Sequence, residues 1–140
     1  GDKFMARIMA IDYGKKRVGL AVTDPLKMIA GGLATVMAQE LIPYLKKYLQ
    51  REAVELFIVG EPKNLDGTDT DATAAATECV RILQKNFPVI PVKKMDERFT
   101  SKMAFQSMLQ SGLKKKDRRN KALVDEISAT ILLQNYLQLL

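Results

Sequence analysis

Residues 7–24 read RIMAIDYGKKRVGLAVTD. The run Ile8 to Ile11 is apolar on both faces, as a central strand covered by other layers requires. Val18, Leu20 and Val22 recur at every second position, the period of a second strand. Between them Asp12-Tyr13-Gly14-Lys15-Lys16-Arg17 forms a tight basic turn. Asp12 stands at the mouth of the buried strand, where a carboxylate is costly unless something compensates it. A metal ion is the expected compensation, with the rest of the chain supplying further ligands and a grip on substrate.

Outward from this hairpin, Ile29 to Met37 (IAGGLATVM) reads as a third strand, weakened or bent at Gly31 and Gly32. Three strands with short links imply an antiparallel meander. Leu41, Tyr44, Leu45, Tyr48 and Leu49 recur at helical spacing, with Pro43 tolerable in the first turn. Glu55 to Gly60 is a short buried strand, and its helical crossover makes it parallel to the first. Glu61 to Asp71 is a turn-rich loop. The helix after it carries Ala72, Ala75, Ala76, Cys79, Val80, Leu83 and Phe87 on one face and stops at Pro88. Val89-Ile90-Pro91-Val92 is expected as a fifth strand at an edge, because Pro91 cannot donate to a ladder. Two further helices are expected, from Ser101 to Ser111 and from Ala122 to Leu139. The fold class is therefore α/β: a five-stranded mixed sheet in the order 3-2-1-4-5, strand 2 antiparallel, with helices on both faces. Ligands favour the carboxyl ends of strands near the switch point between strands 1 and 4. One domain is expected over residues 1–140, with Gly1 to Phe4 set aside as a tag remnant or a short native extension.

Composition narrows the chemistry. There is no histidine, which excludes His-dependent triads, His-based nucleases and His-ligated zinc. A single cysteine, Cys79, excludes an intrachain disulfide and is compatible with a reducing cytoplasm. No apolar run reaches the ~18 residues of a membrane span. The net charge is +6, and Lys102 to Lys121 holds seven Lys/Arg against one Asp, while the remainder balances. An excess confined to one segment favours a local contact with a polyanion.

Three carboxylates come from distant segments. Asp12 ends strand 1, Glu97 lies just past strand 5, and Asp125 sits near the start of the last helix. Together they make an oxygen-rich site for Mg²⁺ or Mn²⁺, able to serve phosphodiester hydrolysis without histidine. Singly, each has a plainer reading: a turn residue, a partner of Arg98, or a helix-dipole partner. Lys15, Lys16 and Arg17 flank Asp12, Arg98 adjoins Glu97, and Lys63 lies in the loop after strand 4; all are candidates for phosphate contact. So is the basic run Lys114, Lys115, Lys116, Arg118, Arg119 and Lys121, which precedes the helix bearing Asp125.

Four segments, IDYGKKRVGLAVTD, VGEPKNLDGT, MDERFTS and ALVDEISATILL, resemble in order the motifs of the YqgF/RuvX family. The resemblance runs from Arg7 to Tyr136 and implies an RNase H-like nuclease fold. It places the family's catalytic acids on Asp12, Glu97 and Asp125, and it implies a Holliday-junction resolvase or a pre-16S rRNA nuclease. Glu61 departs from the family, in which an apolar residue often follows the glycine; it adds a negative charge near the loop. The rRNA role is preferred, because a stand-alone junction resolvase needs a dimer that cuts two strands symmetrically, and no dimer interface is legible. The expected protein is a cytoplasmic, metal-dependent nuclease, a monomer or weak homodimer, acting on rRNA precursor or branched DNA. A non-catalytic nucleic-acid-binding factor is the alternative from another class. A sugar-kinase or actin-like ATPase is disfavoured by length.

Overall fold

The structure is a computed structural model that describes residues 6–61, 71–96 and 121–140. Five strands form one sheet. They are β1 (Arg7–Tyr13), β2 (Arg17–Thr23), β3 (Ala30–Met37), β4 (Val54–Glu61) and β5 (Val92–Asp96), in the spatial order β3-β2-β1-β4-β5. β1 is antiparallel to β2 and parallel to β4, β2 is antiparallel to β3, and β4 is parallel to β5. The expected strand order and directions are those observed. β3 lies at an edge, and its register against β2 shifts at Leu20/Ala21, next to the two glycines.

Helices cover both faces. α1 (Leu41–Leu49) follows a single 3-10 turn and buries Leu41, Leu45 and Tyr48 at helical spacing. α2 (Asp71–Asn86) buries Ala76, Cys79 and Leu83. Both pack on the side of the sheet that carries Met9, Ile11, Val18, Leu20, Phe57 and Val59. α3 (Lys121–Gln138) covers the opposite side, where Ala129, Leu132 and Leu133 meet Ile8, Ala10, Ala21 and Ile58. β1 contributes to both clusters, which is why its residues read as a continuous apolar run. The side chains of Leu123, Val124 and Ile127 in α3 are half-buried rather than covered.

One strand differs from expectation. The fifth strand was expected at Val89-Ile90-Pro91-Val92, but Val89 is exposed and β5 begins only at Val92. The Pro91 carbonyl accepts from the Phe57 N–H at 3.0 Å, and the ladder then continues through Lys93 and Lys94 to Asp96. An edge strand needs no apolar run, and exposed lysines suit it. The helix expected at Ser101 to Ser111 lies outside the described residues.

The β2–β3 connection is organised by Asp24. Its Oδ1 accepts from the N–H groups of Met28 and Ile29, both at 2.8 Å, and Oδ2 accepts from Leu26 N–H at 3.2 Å. These bonds, the one from Ile29 foremost, hold its carboxyl below the usual range. A depressed folded value means that the stabilising contribution is full above the unfolded pKa of ~3.9 and is lost as pH falls through the folded value. The stability difference between wild type and Asp24→Ala is therefore expected to be constant from pH 5 to 7 and to shrink below about pH 4. Urea melts across that range check it; a pH-independent difference would remove the carboxylate's role.

Candidate active site

The pleat of β1 decides where Asp12 points. Ile8 and Ala10 belong to the cluster under α3, whereas Met9 and Ile11 belong to the one under α1 and α2. Alternation carries Asp12 to the α3 face. On β2 the same rule separates Val18 and Leu20 from Ala21, so Arg17 and Gly19 share the α3 face. Asp12 pairs directly with Gly19 across the ladder.

Asp125 arrives on that face from above. It lies one turn before Ala129, which is fully buried against the sheet. The backbone carbonyl of Asp125 rests so close over Gly19 that a Cβ there would overlap it and crowd the Asp125 Cβ. Cross-strand Cα atoms stand about 4.5–5.5 Å apart, so the Asp12–Gly19 pair brings the end of β1 to the start of α3. Gly19 is the residue that sequence reasoning missed. The signal was present: a lone glycine inside an otherwise apolar strand marks a close backbone approach.

Arg17 opens β2 rather than lying in the turn, and its Nε donates to Asp125 Oδ2 at 3.1 Å. Both side chains are about a quarter exposed, and pairs of this kind contribute about 0.2–1 kcal/mol. Lys15 and Lys16 form the exposed tip of the hairpin, closed by a bond from Gly14 N–H to the Arg17 carbonyl at 2.9 Å. Glu61, the departure from the resembled motif, is half-buried and ion-paired with Lys94 at 3.0 Å, so part of its added charge is neutralised.

Glu97, Arg98, Lys63, Lys114, Lys115, Lys116, Arg118 and Arg119 lie outside the described residues, and Lys121 opens α3. Among the described residues no three acids, cysteines or histidines gather into a metal-binding group. Two do share a face: Asp12 and Asp125, both hard oxygen donors of the type that Mg²⁺ and Mn²⁺ prefer. The missing side chain of Gly19 lets the backbone of Asp125 settle close to the strand that pairs with Asp12. Cys79 does not compete for a chemical role; it is fully buried under α2, and burial pushes its thiol up to about 12. No helix among the described residues is long and apolar enough to cross a membrane.

Comparison with known proteins gives the family and the fold. The profile of the family described as RuvX, Holliday junction resolvase, matches residues 6–139. A protein of Christiangramia forsetii, assigned as a pre-16S rRNA nuclease, is 58% identical over 133 residues, which cover 95% of this chain and 98% of that protein. One from Phocaeicola vulgatus with the same assignment is 55% identical over 134 residues, covering 96% of each. Among solved structures, Thermus thermophilus RuvC in complex with a Holliday junction substrate superposes with a TM-score of 0.56 at 18% identity, covering 96% of each chain. That likeness shows a shared RNase H-like fold.

Proposed function

Because the chain belongs to the RuvX family of Holliday junction resolvases, we propose that it is a metal-dependent nuclease that hydrolyses phosphodiester bonds in structured nucleic acid, with the 5′ end of pre-16S rRNA as its substrate. The observation that carries the reading is Gly19, which pairs with Asp12 across the ladder and lies under Asp125, beside an exposed basic hairpin tip. Pure binding of a polyanion gains nothing from carboxylates placed beside such a tip. Metal-assisted hydrolysis uses them as ligands.

Asp12, Asp125 and Glu97 would hold Mg²⁺ or Mn²⁺. Support for Glu97 comes from β5, which runs parallel to β4 and ends at Asp96, so the chain leaves it at the same edge at which β1 delivers Asp12. Bound there, a divalent metal would supply activation of the attacking water and stabilisation of the leaving oxygen of the phosphodiester. The protein's own cations then position the strand. Lys15 and Lys16 take phosphates beside the acids, and Lys63, Arg98 and the run from Lys114 to Lys121 extend the track with sequence-independent contacts. The enzyme acts in the cytoplasm as a monomer or weak homodimer, since trimming one RNA end requires a single cut.

The test is a pair of substrates: a 5′-extended pre-16S rRNA fragment and a four-way DNA junction, each with Mn²⁺ or Mg²⁺ and again with EDTA. The RNA is expected to shorten at its 5′ end and EDTA to abolish the reaction. Cleavage unaffected by EDTA would remove the metal from the mechanism. Symmetric cutting of the junction with intact RNA would make DNA the substrate. Salt-sensitive binding of both without cleavage would leave a binding factor.

A further inference from the structure

The Arg17–Asp125 pair has a property that the phosphate-gripping role of the hairpin does not explain. Arg17 is anchored at the start of β2 by its ladder partner Met37 and by the turn bond to Gly14. From there its guanidinium reaches Asp125 by a single Nε–Oδ2 contact at 3.1 Å, not by the two parallel bonds of a fork. A one-point, solvent-reachable ion pair is readily exchanged, whereas a bidentate or buried one is not. The contact also occupies an oxygen of the carboxylate that the proposed function assigns to a metal.

Resting on that reading, we infer that Arg17 is the built-in counter-cation of the acid site. It neutralises Asp125 while no metal is bound, competes with the incoming ion for Oδ2, and is released beside Lys15 and Lys16 to take a substrate phosphate. Two like-signed partners cannot share one carboxylate oxygen without mutual repulsion, so Arg17 and the metal oppose each other thermodynamically. Removing a unit positive charge ~6 Å from a divalent ion in water strengthens its binding roughly tenfold. Once displaced, the planar guanidinium suits phosphate better than the point charges of the neighbouring lysines.

The experiment is a calorimetric Mn²⁺ titration, without nucleic acid, of wild type, Arg17→Gln, Arg17→Lys and Asp12→Asn. Arg17→Gln is expected to bind Mn²⁺ about tenfold more tightly, to melt lower without metal, and to gain more from adding it. Arg17→Lys keeps the charge and the wild-type affinity. Arg17→Gln also loses about one unit of salt slope in nucleic-acid binding. In the wild-type protein the Arg17 Nε–H resonance is expected to shift when Mg²⁺ is added, a readout independent of any variant's folding. Unchanged or weaker Mn²⁺ binding by Arg17→Gln, or an unmoved Nε–H signal, would overturn the counter-cation role even if Asp12→Asn abolished binding. Wild-type binding by Asp12→Asn would instead remove the acid site on which the role depends.

Discussion

Asp12→Asn is expected to keep the fold and lose metal-dependent cleavage by about 10³-fold. The magnitude follows from the several kcal/mol that a metal supplies to a phosphoryl transition state, at 1.36 kcal/mol per tenfold. The substitution conserves shape at a half-buried position and changes only the charge and one acceptor. Asp12 lies near the end of β1 on the α3 face, outside the Ile8–Ala10 cluster, so that packing is untouched. The thermal midpoint should stay within about 4 °C, the shift expected for a change near 1 kcal/mol in a domain of this size. Single-turnover cleavage in Mn²⁺ and a thermal melt check the two halves separately. Full activity would return Asp12 to the plain role of a strand-end turn residue; lost activity with lost folding would make it a stability determinant.

The second large effect is expected at Gly19, which has no side chain to take part in the chemistry. A methyl group at this position would overlap the Asp125 carbonyl and approach its Cβ. Backbone cannot swing aside as a side chain can, so α3 must lift from β2. Overpacking of this kind costs about 1–3 kcal/mol. The displaced element carries Asp125, and a misplacement of ~1 Å in a reacting constellation costs about 10²-fold in rate. Gly19→Ala is therefore expected to lower both the melting temperature and cleavage. Gly32→Ala supplies the control. There the nearest atoms to a methyl group all belong to the Glu126 side chain, Cγ included; a side chain can turn where backbone cannot, so the losses should be clearly smaller than at Gly19. Gly31→Ala, with open space around it, should change less still. Melts and cleavage rates of the three variants check the order. Equal effects of Gly19→Ala and Gly32→Ala would mean that α3 does not bear on Gly19 as closely as the geometry indicates.

Much of the fold was legible because its signals are local. The two-faced apolar run from Ile8 to Ile11 announced a central strand, and the short links forced the antiparallel meander. The heptad-like spacing of Ala76, Cys79 and Leu83 marked the buried face of α2. The fifth strand was misplaced for an equally physical reason. Lys93 and Lys94 carry no apolar pattern, because an edge strand needs only backbone pairing, and Val89-Ile90 looked like a strand while forming part of a turn. At the site, acids at strand and helix ends were conspicuous, but the glycine between the elements that carry two of them was not.

The sequence by itself narrowed the chemistry: with no histidine and one cysteine, carboxylates with hard cations are the expected tools of hydrolysis. It also determined the strand order, since hydrophobic periodicity and link length are properties of neighbouring residues. Only the tertiary structure decided that Asp12 and Asp125 share a face, that Gly19 clears the space between their elements, and that Arg17 already engages one of them. Those relations join positions more than a hundred residues apart in the case of Arg17 and Asp125. No local pattern encodes them, because they depend on the pleat of the sheet and the height at which a helix settles on it.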